Sequence, residues 1–217
     1  MTQTPDNRLW LTAEHTKQYL QRAGSMPHRE EGEAALLEFV PPKAGRILDL
    51  GTGGGRLMQI VRGAHPSARF VGLDFSPPML ETLRKQFGAD PNISIATHDM
   101  ARELPPLGPF DCVVSSFAIH HLTHERKRAL YGEIYGVLAP GGVFLNLERV
   151  ASPSEALHDQ FLRATGLTRE TEDPENILAT VDAQVGWLRE IGFADADCHW
   201  KWRELALFGG VRPGGAA

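Results

Sequence analysis

Residues 46–55 read Arg-Ile-Leu-Asp-Leu-Gly-Thr-Gly-Gly-Gly, an apolar strand that runs without a break into a glycine-rich turn. No other stretch limits the fold so tightly. The block from Asp49 to Gly55 has the form D-x-G-x-G-x-G. Glycine admits backbone angles, and a closeness of ligand to backbone, that a Cβ would forbid. A helix beginning near Gly54 presents free N–H groups to a ligand held in the turn. The reading is a strand–turn–helix unit with a ligand site at the strand's carboxyl end.

Strands and helices alternate from there. Strands are expected over 46–50, 68–73, 92–97, 110–115 and 143–147, with helices from the turn to about 63, over 77–87 and over 123–138. Pro140-Gly141-Gly142 is read as the turn into the fifth strand. Such alternation gives a parallel sheet covered by helices on both faces. After Glu148 the pattern changes: 152–165 reads as an inserted helix and 173–192 as one or two more. The last two expected strands, 194–200 and 204–209, are too close for a crossover helix and form an antiparallel hairpin at the sheet edge. Ahead of the turn, 8–22 and 28–40 read as helices, the second ended by Pro41-Pro42. The expected organisation is a helical cap over 1–45, a main domain over 46–210 with a helical insertion at about 152–182, and a flexible tail over 211–217.

A length of 217 residues suits one domain with a full core. The 22 Lys+Arg against 27 Asp+Glu leave a net charge of −5, which argues against nucleic acid and favours a small-molecule partner. Cys112 and Cys198 lack CxxC spacing and read as two buried thiols. The polar start from Met1 to Arg8 has no apolar signal core, and no apolar run nears the ~20 residues that span a bilayer. A cytoplasmic monomer or homodimer with no membrane partner is expected.

Two rival fingerprints fail. A dinucleotide turn, G-x-G-x-x-G, would start at Gly51 or Gly53, and its third glycine would fall on Arg56 or Met58. A P-loop needs Gly-Lys-Ser/Thr after the turn, which is absent from the sequence.

Four features occur in order: Leu48-Asp49-Leu50-Gly51-Thr52-Gly53-Gly54-Gly55, the acidic strand end Gly72-Leu73-Asp74, His98-Asp99-Met100 after the third strand, and Leu138-Ala139-Pro140-Gly141-Gly142. Together they resemble the class I S-adenosylmethionine-dependent methyltransferases, and the likeness covers about 46–210. The resemblance implies an α/β, Rossmann-like three-layer sandwich whose seven-stranded, mostly parallel sheet ends in an antiparallel hairpin. It implies S-adenosyl-L-methionine as cofactor. Asp49, Gly51, Thr52 and Gly53 then form the cofactor turn, with Asp49 either fixing the turn or meeting the ammonium group. Asp74 accepts from the ribose hydroxyls; Ser76 before Pro77 is the better helix cap. Phe75 packs beside the adenine or into the core. Asp99 accepts from the adenine amino group, Met100 adds backbone and apolar contact, and Ser115 and Ser116 at the end of the fourth strand reach the methionine part.

Methyl transfer from a sulfonium needs alignment more than covalent help, and a base only where the acceptor must lose a proton. His120 and His121 are the candidate catalytic residues, either as a base or as shapers of the pocket. No metal is expected, since two adjacent histidines do not make a coordination sphere. His15, Tyr19, His28, Glu148, Arg149, His158 and Arg203 are candidates to face a small-molecule acceptor, and Trp200 and Trp202 read as core packing. Alternatives are a carboxy-S-adenosylmethionine synthase with Arg203 as carboxylate ligand, a tRNA or protein methyltransferase, and a non-catalytic cofactor-binding subunit.

Overall fold

The structure, a computed structural model, describes residues 10–14, 16, 17, 20, 24 and 26–214. The helix expected over 8–22 lies partly outside these residues, and His15 and Tyr19 lie wholly outside them. The described elements are α1 (Arg29–Phe39), β1 (Arg46–Leu50), α2 (Arg56–Ala64), β2 (Arg69–Asp74), α3 (Pro77–Phe87), β3 (Ile93–Thr97) and β4 (Phe110–Ser116). A short 3-10 turn (Ile119–His121) follows, then α4 (His124–Val137), β5 (Leu138–Arg149), α5 (Glu155–Thr165), α6 (Val181–Ile191), β6 (Ala194–Trp202) and β7 (Leu205–Val211). The seven strands are ordered β3-β2-β1-β4-β5-β7-β6. All pairings from β3 to β5 are parallel, while β7 is antiparallel to both β5 and β6. The order reverses between β1 and β4, which opens a crevice at their carboxyl ends.

Strand periodicity divides the core. In β4, Val113 points to the face covered by α4 and α6, where it meets Tyr131, Ile134 and Leu188. Its neighbours Cys112 and Val114 point to the other face, with Leu36 of α1, Val61 of α2 and Leu83 of α3. Burial pushes the Cys112 thiol far up, so it packs as a small apolar group. Capping follows the residue chemistry: the side chains of Ser76, Thr123, Ser154 and Thr180 accept from N–H groups at the starts of α3, α4, α5 and α6.

One expectation is corrected. The fifth strand begins at Leu138, not after the Pro-Gly-Gly triplet. Gly141, at φ +81, sits in an irregularity opposite β4, and the chain stays in the sheet because Arg212 brackets it. Gly141 N donates to Arg212 O at 2.7 Å, and Arg212 N donates to Gly142 O at 2.8 Å. Of the one or two helices expected within 173–192 there is one, α6, and residues 173–180 are not helical. Their carbonyls go elsewhere: the buried Lys127 ammonium donates to Ile177 O at 2.7 Å, and Ile177 N donates to His120 O at 3.0 Å. Trp200 packs against both the α1 side of the core and α5, and Trp202 meets Phe161 edge-on at 6.2 Å. Among the described residues no helix is long and apolar enough to cross a membrane.

Candidate functional site

The glycine turn is built for close approach. Gly51, Gly53 and Gly55 have φ of +64, +54 and +93. A Cβ on Gly51 would stand 2.3 Å from that of Ala118, so only glycine lets the turn pass the end of β4. Helix α2 starts at Arg56, with Gly55 as its N-cap and no capping side chain.

Two carboxylates frame this turn. Asp74, the last residue of β2, accepts from Gly53 N and from Ser76 N, both at 2.8 Å. It therefore ties the glycine turn to the start of α3, and each oxygen keeps a lone pair for a ligand. Burial pushes the Asp74 carboxyl up, against the pull of the Ser76 and Gly53 N–H groups. Asp49 is more isolated. Its Oδ2 accepts from the Thr52 hydroxyl at 2.7 Å, while its buried Oδ1 has no partner. Burial, together with the charge of Asp74, pushes Asp49 up to about 7, with the Thr52 hydroxyl and the Met58 backbone pulling the other way.

These groups open onto a cavity of about 330 Å³. Asp49, Gly51, Thr52 and Gly53 line it from the turn, Asp74 and Phe75 from the end of β2, and His98, Asp99 and Met100 from the end of β3. Ser116, Phe117, Ala118 and His121 close it after β4, and Trp10, Leu20 and Arg29 cover the cap side. Most residues singled out in the sequence thus meet around one cavity.

Two do not line it. Ser115 is fully buried and donates to Leu50 O at 2.8 Å, so it locks β4 to β1 from behind the wall. Strand alternation leaves the cavity to Ser116, the other serine named for it, whose buried hydroxyl has no partner. His120 is turned toward β5, where Nδ1 lies 2.5 Å from Glu148 Oε1 and the backbone N donates to Glu148 Oε2 at 2.9 Å. Its ring remains stacked near that of the cavity-lining His121, centroid to centroid 4.0 Å.

Four residues at the cavity carried no sequence signal strong enough to assign them: Arg29, Phe117, Trp10 and His98. Arg29, at the first turn of α1, donates to Glu33 Oε1 at 2.8 Å and lies 4.8 Å over the Phe117 ring. Arg56 joins it with two bonds of 2.7 Å to Glu33. Burial alone would raise the Glu33 carboxyl, but Arg56 and Arg29 hold it below its usual value. The cap helix is thereby clasped to the first turn of α2. Phe117 adopts φ +51, a strained angle for a bulky side chain, at the tip of β4.

The remaining acceptor candidates fall elsewhere. Arg149 bonds Glu204 and Glu172, and His158 bridges the same two carboxylates at 2.8 and 3.2 Å, pinning α5 to the β6–β7 turn. His28 stacks on Trp202 at 4.2 Å. Arg203 donates to Gln160 and lies beside Trp202, outside the cavity. Among the described residues no cluster of His, Cys, Asp and Glu could hold a metal ion.

Residues 47–142 match the family described as "Methyltransferase domain". The demethylmenaquinone methyltransferase of Thermus thermophilus is 40% identical over 112 residues, 51% of this chain and 50% of that protein. The carboxy-S-adenosyl-L-methionine synthase of Desulforapulum autotrophicum is 29% identical over 186 residues, 77% of this chain and 74% of that protein. The chain spans about half the length, 42–51%, of the curated relatives it matches at 31–40% identity. Among solved structures, an O-methyltransferase family protein from Burkholderia thailandensis superposes with a TM-score of 0.73 at 18% identity, covering 94% of this chain and 60% of that one. The sheet order is the fold shared with these structures, and the stretch 47–142, which holds the glycine turn facing Asp74, matches the methyltransferase-domain family.

Proposed function

We propose that the protein transfers a methyl group from S-adenosyl-L-methionine to a small-molecule acceptor in the cytoplasm. The observation that carries this reading is the convergence of Asp49, Asp74 and Asp99 on one cavity beside a turn that tolerates no side chain at Gly51. The residues fit that cofactor. Three buried polar atoms of cavity-lining residues, Asp49 Oδ1, His98 Nε2 and Ser116 Oγ, have no partner within the described chain. An unmet buried polar atom costs about 1–3 kcal/mol, so such a cluster marks groups reserved for a ligand. Asp74 holds the ribose hydroxyls, Asp99 and Met100 the adenine, and Asp49 with the turn the amino-acid end. Bound there, S-adenosylmethionine supplies an activated methyl group.

The chain's own work is then alignment and proton handling. Ser116, Phe117 and Ala118 shape the wall at the β4 end, and His121 faces the acceptor side. Glu148, fully buried, fixes the orientation of His120 in the manner of a carboxylate behind a catalytic imidazole. That pair backs the neighbouring ring of His121, which lines the cavity and takes the proton of an acidic acceptor. Lys127 secures the pair by donating to the carbonyls of His120 and Leu122. A cytoplasmic setting suits the two free thiols, Cys112 and Cys198.

A methyl-transfer screen over small hydroxy, amino, thiol and carboxylate compounds, with tRNA as control, tests the reading. Transfer to a small compound is expected, and transfer to tRNA alone would overturn it. For an acceptor that must lose a proton, His121→Ala should lower kcat by about 100-fold or more, and Glu148→Gln, acting through His120, by about tenfold, each leaving S-adenosylhomocysteine affinity within about threefold. An unchanged kcat would remove these residues from the chemistry.

A further inference from the structure

His98 directly follows β3, and its position on the cavity wall is fixed from several sides. Its backbone N donates to Asp74 O at 2.9 Å. The loop after it is clamped by Arg126, whose guanidinium donates to Met100 O at 2.7 Å and to Arg102 O at 2.6 Å. Arg126 is in turn paired with Glu133. The next residue, Asp99, uses Oδ1 to accept from Ala101 N at 2.9 Å. His98 thus lines the cavity beside Asp99 on a clamped loop that follows β3, the edge strand on this side of the sheet.

The state of the ring is set by its surroundings. Burial lowers the His98 pKa, with Asp99 and Glu133 opposing and Arg126 assisting, so the imidazole is neutral at pH 7. A neutral imidazole has one N–H and one bare nitrogen. The Arg102 backbone opposes burial by favouring the protonated ring. Nε2 is buried without a partner. In the tautomer that carries its proton on Nδ1, Nε2 is a lone-pair acceptor on a residue of the cavity wall.

We propose that His98 is a second acceptor for the exocyclic amino group of the bound purine, beside Asp99, and that the pair selects adenine over a 6-oxo purine. This rests on the cofactor reading above. An amino group offers two N–H donors, one for each acceptor. A 6-oxo purine would set its carbonyl oxygen against a carboxylate and a bare nitrogen, leaving both acceptors unpaired; sites built to bond a ligand N–H reject analogues that lack it strongly.

The test is calorimetric titration of the full chain with S-adenosylhomocysteine and with S-inosylhomocysteine. The wild type should prefer the adenine compound by at least about 100-fold. His98→Phe keeps a ring but removes both nitrogens, and should cut that ratio by about tenfold. His98→Asn restores an acceptor and should recover part of it. A ratio unchanged in both variants, or equal weakening of both ligands, would overturn the proposal, because a merely structural role moves both ligands together. Equal binding of the two ligands by the wild type would overturn it as well. Wild-type protein that binds neither compound would instead refute the cofactor reading. Should His98→Phe fail to fold, His98→Ala gives the same ratio.

Discussion

Asp49→Asn is expected to make the ligand-free protein more stable at pH 8 by about 3 kcal/mol, and at the same time to weaken S-adenosylhomocysteine binding by about 10- to 100-fold. Both effects come from one buried oxygen. Asp49 is 1% exposed, and burial pushes it up from 3.8 to about 7. Between those values the folded chain keeps a proton that the unfolded chain has lost. This group's contribution to stability is therefore full below pH 3.8 and is lost as pH rises through 7. The interval amounts to about 4 kcal/mol if taken whole, and Asn, which cannot ionise, removes it while still accepting from the Thr52 hydroxyl. Urea denaturation at pH 5 and pH 8 reads the effect: the variant's advantage should shrink sharply at pH 5. Equal stability of the two proteins at both pH values would show that Asp49 bears no such cost. In the wild type, a cationic ligand restores the carboxylate, so binding should strengthen as pH rises from 6 to 8. A position that destabilises the empty fold and serves the loaded one is what a binding group looks like in energetic terms.

Asp74→Ala should have the larger effect on binding, about 100- to 1,000-fold in S-adenosylhomocysteine affinity, or about 3–4 kcal/mol. The carboxylate does two jobs. It anchors Gly53 N and Ser76 N, and so sets the distance between the glycine turn and the start of α3. Its remaining lone pairs meet the ribose. Alanine leaves both N–H groups without their acceptor and removes the ligand contact as well. Asp74→Asn keeps one acceptor oxygen and should fall between wild type and alanine. Calorimetry decides the matter: an alanine variant that binds within threefold of wild type would take Asp74 out of the site.

Much of this arrangement was legible in the chain because local signals and fold agree. The D-x-G-x-G-x-G turn, the acidic end of β2 and the closely spaced last strands each state their geometry within a few residues. What the sequence hid depends on distant partners. Residues 173–180 carry a helix-compatible composition, yet Lys127, 50 positions away, claims the Ile177 carbonyl and holds the segment over the His120–His121 turn. The continuation of β5 through Pro140 depends on Arg212. Ser115 and Ser116 differ by one register position, which decides which hydroxyl meets the cavity and which meets Leu50. The Arg29–Glu33–Arg56 clasp joins two helices whose sequences give no hint of each other.

Titration of the purified full-length chain with S-adenosylhomocysteine at pH 8 bears most directly on the assignment of the cavity. One molecule per chain should bind with a Kd of about micromolar order and raise the melting temperature in proportion to ligand concentration. No heat and no melting shift at millimolar ligand would contradict the assignment of Asp49, Asp74 and the glycine turn to this cofactor.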